Sequence, residues 1–317
     1  MSFGTIPKIL IQCLVSFALI YLVLQGVDKE SLLLLLREFS ISDAVILVVA
    51  AVVILGALQG MRWKVILGSL GSQVETNWAI NVSFLAIFFN QVIPAMIGGE
   101  VSRIWLGKKN KISIQTLIVS VFADRFVGLV AIAIMCAIGL PFLFSISGST
   151  NVFWSDVVLV GLSFIGTVFL FMLRSIPSWL REWRVIKAIH MLGEAAWSVS
   201  QKLKSSLEMF LFSFLSHSAQ IVLILFIAEM ISVPLSVGHA MILCPPILFV
   251  SMLPVSLAGW GVREGAMVVG FSLIGISQDD ALAISIIYGA MAIGIGAAGG
   301  GLWLAGHFLK QFRTRSA

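Results

Sequence analysis

The fold turns on the reading of Asn90–Arg103, "NQVIPAMIGGEVSR", set between "SFLAIFF" (83–89) and "IWL" (104–106). A plain membrane-crossing helix has no use for a proline, paired glycines, and a carboxylate three residues from a guanidinium. A soluble loop would not be bounded by such apolar flanks. The stretch is a helix break inside apolar sequence, and the rest of the chain says which kind.

The 317 residues are 59% hydrophobic and 11% charged, with mean hydropathy +1.07. That charge fraction is about half that of a soluble domain. Short alternating segments, the mark of a membrane barrel, are absent. The composition therefore predicts an all-α polytopic membrane protein. A crossing helix needs about 20 residues, and six runs qualify: Ile6–Val27, Ala44–Met61, one within Ile112–Phe144, Val157–Leu173, Leu207–Ile231 and Ala281–Gly306. The first follows Lys8 as a signal peptide would. It outruns a typical h-region and lacks a small-x-small site before "VDKE", so it is read as an uncleaved span. Cys13, Cys136 and Cys244 are isolated in apolar runs and read as filler rather than as a zinc or redox set.

Basic residues fix the sides. Arg62 and Lys64 are assigned to one loop, Arg103, Lys108, Lys109 and Lys111 to a second, and Arg174, Arg181, Arg184, Lys187, Lys202 and Lys204 to a third; Lys310, Arg313 and Arg315 end the chain. The segments 145–156, 232–239 and 278–280 carry neither Lys nor Arg. The positive-inside rule makes the basic group cytoplasmic, both termini included, and Trp63, Trp78 and Trp154 are expected in an interfacial aromatic belt. Trp78–Gly99 is long enough to cross, yet basic loops flank it on both sides. It must enter and return, with Pro94, Gly98 and Gly99 as the place to turn.

A second copy supports this. Residues 248–265, "LFVSMLPVSLAGWGVREG", repeat the order of 86–103: an apolar run, a proline, glycines, and an Arg/Glu pair. This copy follows a span that crosses outward, and it precedes Asp279 and Asp280 in a segment free of basic residues. It therefore dips from the other face, with breaks at Pro254, Gly259 and Gly261. Two oppositely oriented re-entrant hairpins are the mark of an inverted repeat, whose broken helices meet near the midplane at a site. The expected organisation is one transmembrane domain over 1–317. A first half, 44–145, holds re-entrant segment 78–107, and a second half, 207–306, holds re-entrant segment 240–277. Between them lies a basic linker, 174–206, whose Trp179, Leu180, Trp183 and Ile186 recur at helical spacing. It is either a helix lying on anionic headgroups or an ordinary segment packed on the domain.

Charges are costly at bilayer depth and usually face a cavity and one another. Glu100/Arg103, Asp124/Arg125 and Arg263/Glu264 pair opposite signs beside long uncharged runs, and with Asn90 they are the candidate substrate-binding residues. The reading as helix-locking pairs stays open beside it. "GIGAAG" (294–299) has dinucleotide-like spacing but no strand before it, so close helix packing is the better account. No phosphate-loop lysine motif, zinc-binding histidine pair or nucleophile elbow occurs. No catalytic residue, metal or cofactor is expected.

"FFNQVIPAMIGGEVSRIWL", then "ADRFVGLV", then "SMLPVSLAGWGVREGA" resemble the lysylphosphatidylglycerol synthase transmembrane region, a flippase-like domain family, over essentially the whole chain. Its P-x-x-x-G-G-[DE]-x-x-R block is filled by Pro94, Gly98, Gly99, Glu100 and Arg103. Its D-R-x-x-G block is filled by Asp124, Arg125 and Gly128, and its P-x-x-x-x-G-x-G-x-R-E block by Pro254, Gly259, Gly261, Arg263 and Glu264. Glu100 stands where Asp is commoner. The resemblance implies lipid translocation; larger members add a cytosolic aminoacyl-transferase, for which a chain ending at Ala317 leaves no room.

The expectation is thus a non-enzymatic flippase in a bacterial or archaeal inner membrane. It would move the headgroup of an anionic phospholipid or a polyprenyl-phosphate-linked sugar through a polar groove, with membrane lipids rather than nucleic acid as partners. Proton coupling and homo-oligomerisation are left open. An intramembrane lipid-modifying enzyme and an uptake carrier for a small soluble substrate are the alternatives.

Overall fold

Serines set where several helices begin. Ser40, Ser113, Ser236 and Ser277 each accept a hydrogen bond from the backbone N–H three residues on, satisfying a donor that the first turn would leave unpaired. The computed structural model describes residues 40–92, 98–147, 150–180, 183–252 and 260–315, together with Leu14 and Tyr21. The expected first span, Pro94, Pro254 and Gly259 lie outside the described residues.

The described chain is all helix: α1 (Ile41–Ser69), α2 (Thr76–Val92), α3 (Gly98–Lys109), α4 (Ile114–Ser147), α5 (Thr150–Met172), α6 (Arg184–Ser200), α7 (Leu203–Met230), α8 (Val237–Ser251), α9 (Val262–Ser272) and α10 (Gln278–Arg315). Five of them, α1, α4, α5, α7 and α10, are long and apolar enough to cross a membrane. They match five of the six expected spans. α5 turns Val158, Leu162, Ile165, Phe169 and Met172 outward as an apolar stripe.

Side-chain bonds give the helix directions. Arg62, near the end of α1, bonds Asp124 in the first third of α4, so α1 ends where α4 begins. The intervening α2 and α3 pack on each other and leave and return at that face, which we call the first face. Lys202, just before α7, donates to the Ser69 carbonyl, so α7 starts at the first face and crosses. Gln220 in α7 meets Tyr288 in α10, each about ten residues, roughly 15 Å, from the end of α7 and the start of α10. The second packed pair, α8 with α9, therefore leaves and returns at the opposite, second face. Two hairpins of opposite orientation follow from these bonds.

Glycines seat the first hairpin. A Cβ at Gly299 of α10 would stand 2.8 Å from the Phe84 carbonyl oxygen of α2, and one at Gly300 would stand 2.8 Å from the Phe88 ring. The "GIGAAG" stretch is thus a packing surface for α2. α6 packs on the end of α5 through Gly193, which abuts the Leu173–Arg174 backbone, while the Arg174 guanidinium covers the Trp197 ring at 3.9 Å. Trp179 and Trp183 remain exposed.

Two expectations are corrected here. Arg62 and Lys64 are not in a loop: α1 continues to Ser69, and Arg62 is buried. Trp63 does not sit in an interfacial belt. It is fully buried, donates to Ser120 Oγ at 3.1 Å and stacks on Trp78 at 5.5 Å between centroids. Arg62 does not end the helix, because its buried partner Asp124 lies 62 residues downstream.

Candidate functional site

Asp124 sits on α4 about 15 Å from its start, deep enough that an unpaired carboxylate would be costly. Two elements answer it. Arg62 of α1 grips it with both ends of its fork, Nε to Oδ1 at 2.6 Å and Nη2 to Oδ2 at 3.0 Å. Arg103 of α3 adds Nη1 to Oδ2 at 2.7 Å. Arg62 also donates to Ser213 Oγ of α7 at 3.0 Å, and Arg103 lies over the Trp63 ring at 5.3 Å. Bidentate, charge-assisted bonds of this kind are the strong ones. All three residues are buried.

The pairing differs from the expectation drawn from neighbours in sequence. Glu100 binds Arg125 of α4, with Arg125 Nε at 2.6 Å from Oε1, and Arg103 binds Asp124. The two acids exchange their sequence-adjacent arginines because helical spacing turns Glu100 and Arg103 toward different residues of α4. α3 is held close to α2 at its start: Gly99 N–H donates to Asn90 Oδ1 at 2.9 Å. A Cβ at Gly99 would stand 2.7 Å from both Asn90 Oδ1 and the Ala86 carbonyl oxygen. Only glycine permits that approach.

These groups line one cavity of about 300 Å³, at the lower end of small-molecule sites, open between α1, α2, α3, α4, α7 and α10. Asn90, Glu100, Arg103, Asp124 and Arg125, all candidates from the sequence, meet here. So do Arg62, Gln59, Gln91, His217, Gln220 and Tyr288, which the sequence did not single out. With their ordinary charges, three arginines against two carboxylates leave one positive charge in excess. Glu100 Oε2 and Arg103 Nε, both buried, have no hydrogen-bond partner among the described residues. The cavity thus holds a spare guanidinium donor and a spare carboxylate acceptor for a zwitterionic or anionic guest.

Arg263 and Glu264 do not line this cavity. They close on each other, Nη2 to Oε1 at 2.5 Å, and both bond Ser285 Oγ of α10 at 3.1 Å. Glu264 Oε2 also accepts from Gly261 N–H at 2.5 Å, and Gly261 has φ 86°, the left-handed region that glycine adopts without strain. The Arg263 guanidinium lies over the Trp260 ring at 4.8 Å and the Tyr288 ring at 5.5 Å. Tyr288 donates to Gln220 Oε1 at 3.1 Å. Gln220 reaches His217 Nδ1 at 3.4 Å, and His217 Nε2–H donates to the Gly128 carbonyl at 3.1 Å. A continuous polar chain therefore joins the second hairpin to the wall of the first hairpin's cavity.

Five long apolar helices, two oppositely oriented hairpins and a cation-rich cavity lined by both arms of the first hairpin define a multi-pass helical membrane protein with a polar cavity among its helices. The chain matches the family described as the lysylphosphatidylglycerol synthase TM region over residues 9–300, and it belongs to that family. Membership links it to a membrane-lipid function. No curated protein matches the chain.

Proposed function

We propose that this protein carries the polar headgroup of an anionic phospholipid or a lipid-linked sugar phosphate across the membrane while the acyl or prenyl chains stay in lipid. The observation that carries this reading is the excess guanidinium charge in a cavity beside a hairpin that returns to its own face. A phosphate oxygen is the natural ligand for planar donor forks. Asp124 holds Arg62 and Arg103, and Glu100 holds Arg125. An arriving phosphate draws on Arg103 Nε and on the half-exposed Arg125. Glu100 Oε2 is the acceptor for an amine or hydroxyl on the same headgroup. Arg62, with its carboxylate and Ser213 bonds made, stays as scaffold.

Carrier action rather than covalent lipid modification is supported by the arrangement of the acids: each carboxylate in the cavity is tied to a guanidinium rather than poised beside a nucleophile. The first face carries Lys108, Lys109, Lys111, Arg174, Lys202 and Lys204. The described second-face ends of α7 and α10 carry Glu229, Asp279 and Asp280, and those of α7, α8 and α10 carry no Lys or Arg. This supports a cytoplasmic first face, in a bacterial or archaeal inner membrane. The test is reconstitution in liposomes with fluorescently tagged phosphatidylglycerol. Wild-type protein should move the tag between leaflets and Arg103→Met should not. Equal movement by both, or release of a chemically altered lipid, would overturn the reading.

A further inference from the structure

Asp156 takes no part in the site above. It lies on α5, about 9 Å along the helix from its second-face start, and only 3% of it is exposed. Its Oδ1 has no hydrogen-bond partner among the described residues. It faces a separate cavity of about 400 Å³, walled by Leu143 of α4, by Leu243 and Ile247 of α8, by Gly261 at the N-cap of α9, and by Val262 and Ala266 of α9. Two walls are thus the arms of the second hairpin, and Gly261 is the residue that starts α9.

The charged and titratable neighbours are few. From α4, Cys136 is close enough to interact with the carboxyl. α8 contributes hydrocarbon to the cavity wall, and its Cys244 is buried beside Tyr288 instead. On α9, Arg263 and Glu264 turn to each other and to Ser285. α5 itself contributes no other ionisable side chain to the cavity wall. An ionised carboxylate in such a place lacks the paired cation that buried charge requires. A hard metal ion would need several oxygen ligands, and the described residues hold no group of three acids, cysteines or histidines. An ammonium group would bring three donors to one acid. A proton needs one oxygen.

We propose that Asp156 is a proton-binding site whose occupancy sets how the second hairpin packs against α4 and α5, coupling headgroup movement to proton uptake from the second face. One proton adds to a carboxylate oxygen and no other bond changes. The neutral acid lets the hairpin arms close over it. The ionised form must be reached by water, so the groove opens to the second face. Through Gly261 and the Arg263–Tyr288–Gln220 chain, that movement reaches the cation-rich cavity. The coupling rests on the headgroup-carrying reading, whereas proton binding does not.

The full chain is reconstituted in phosphatidylcholine–phosphatidylglycerol liposomes as wild type, Asp156→Asn and Asp156→Glu. Infrared difference spectra across a pH series should show, in the wild type, the carbonyl band of a protonated carboxyl that titrates. Asp156→Asn should lose the band and Asp156→Glu should keep one, displaced. A wild type without a titrating band, or an Asp156→Asn variant that keeps it, overturns the proposal whatever the lipid does. In the same vesicles, flipping of tagged phosphatidylglycerol should change several-fold with an imposed pH gradient in the wild type and be gradient-independent in Asp156→Asn. Wild-type flipping indifferent to the gradient overturns the coupling. A titrating band with no flipping at all overturns both the coupling and the headgroup reading, while the proton site stands.

Discussion

Asp124→Asn removes the one negative charge against which both Arg62 and Arg103 are held. Three charge-assisted bonds are lost together. Among the described residues Arg62 keeps Ser213 and Arg103 keeps the Trp63 ring, with one neutral amide oxygen at position 124 to share in place of a carboxylate. Stranding one partner of a buried ion pair costs about 3–5 kcal/mol. Here two cations are stranded, so the upper end, about 5 kcal/mol, is expected. Arg103→Met is milder, because Asp124 retains the bidentate Arg62. Losing one hydrogen bond to a charged group costs about 1.5–3 kcal/mol. At about 2–4 °C per kcal/mol, Asp124→Asn should lower the melting temperature by roughly 10–20 °C and Arg103→Met by roughly 3–12 °C. The assay is thermal loss of the monodisperse peak in detergent. An all-apolar triple variant, Arg62→Met with Arg103→Met and Asp124→Leu, should recover much of the loss, since replacing a whole buried cluster is often neutral. Asp124→Asn protein that melts with the wild type would refute the claim that this carboxylate ties α1, α3 and α4 together.

Other expectations follow from the same contacts. Single cysteines at Ser72 and Asn110 should be labelled by a membrane-impermeant reagent from one side, and those at Gly238 and Ser277 from the other; opposite-side labelling within either pair would remove that hairpin. Arg263→Ala and Glu264→Gln should each destabilise by about 3–5 kcal/mol, and the double neutral variant by much less. Equal melting of all three with the wild type would show the pair to be structurally idle. Gly299→Leu forces α2 away from α10, because its Cβ alone would stand 2.8 Å from the Phe84 carbonyl oxygen. It should cost about 1–3 kcal/mol by overpacking and slow lipid flipping, which melting and vesicle assays can read separately.

Much of this architecture is legible in the chain, because lipid leaves a helix few choices. Apolar run length locates the spans, and the basic segments at one face require that 78–107 turn back. Gly99 and Gly261, singled out as breaks, stand at the starts of α3 and α9, whereas Pro94, Pro254 and Gly259 lie outside the described residues. The charge partners are not legible in the same way. Asp124 stands next to Arg125 in sequence but is bound by residues 62 and 103, because adjacent helical residues point about 100° apart. Arg62 hid at the end of an apolar run beside Lys64, where a span edge and a buried guanidinium look alike. Trp63 misled for the same reason: its ring is fully buried rather than interfacial. Tyr288, Gln220 and His217 carry no motif, and only the crossing of α7 with α10 joins them. The Arg263/Glu264 pair was legible, since the turn at Gly261 folds Glu264 back onto its own helix start.

The most direct test of the central claim is native mass spectrometry of the purified protein with its bound lipids, for wild type, Arg103→Met and Arg125→Met. The account predicts that the wild type retains anionic, phosphate-bearing lipid and that both variants lose it while staying folded and monodisperse at the temperature of the measurement. Identical lipid adducts in all three proteins, or adducts confined to neutral lipid, would contradict it.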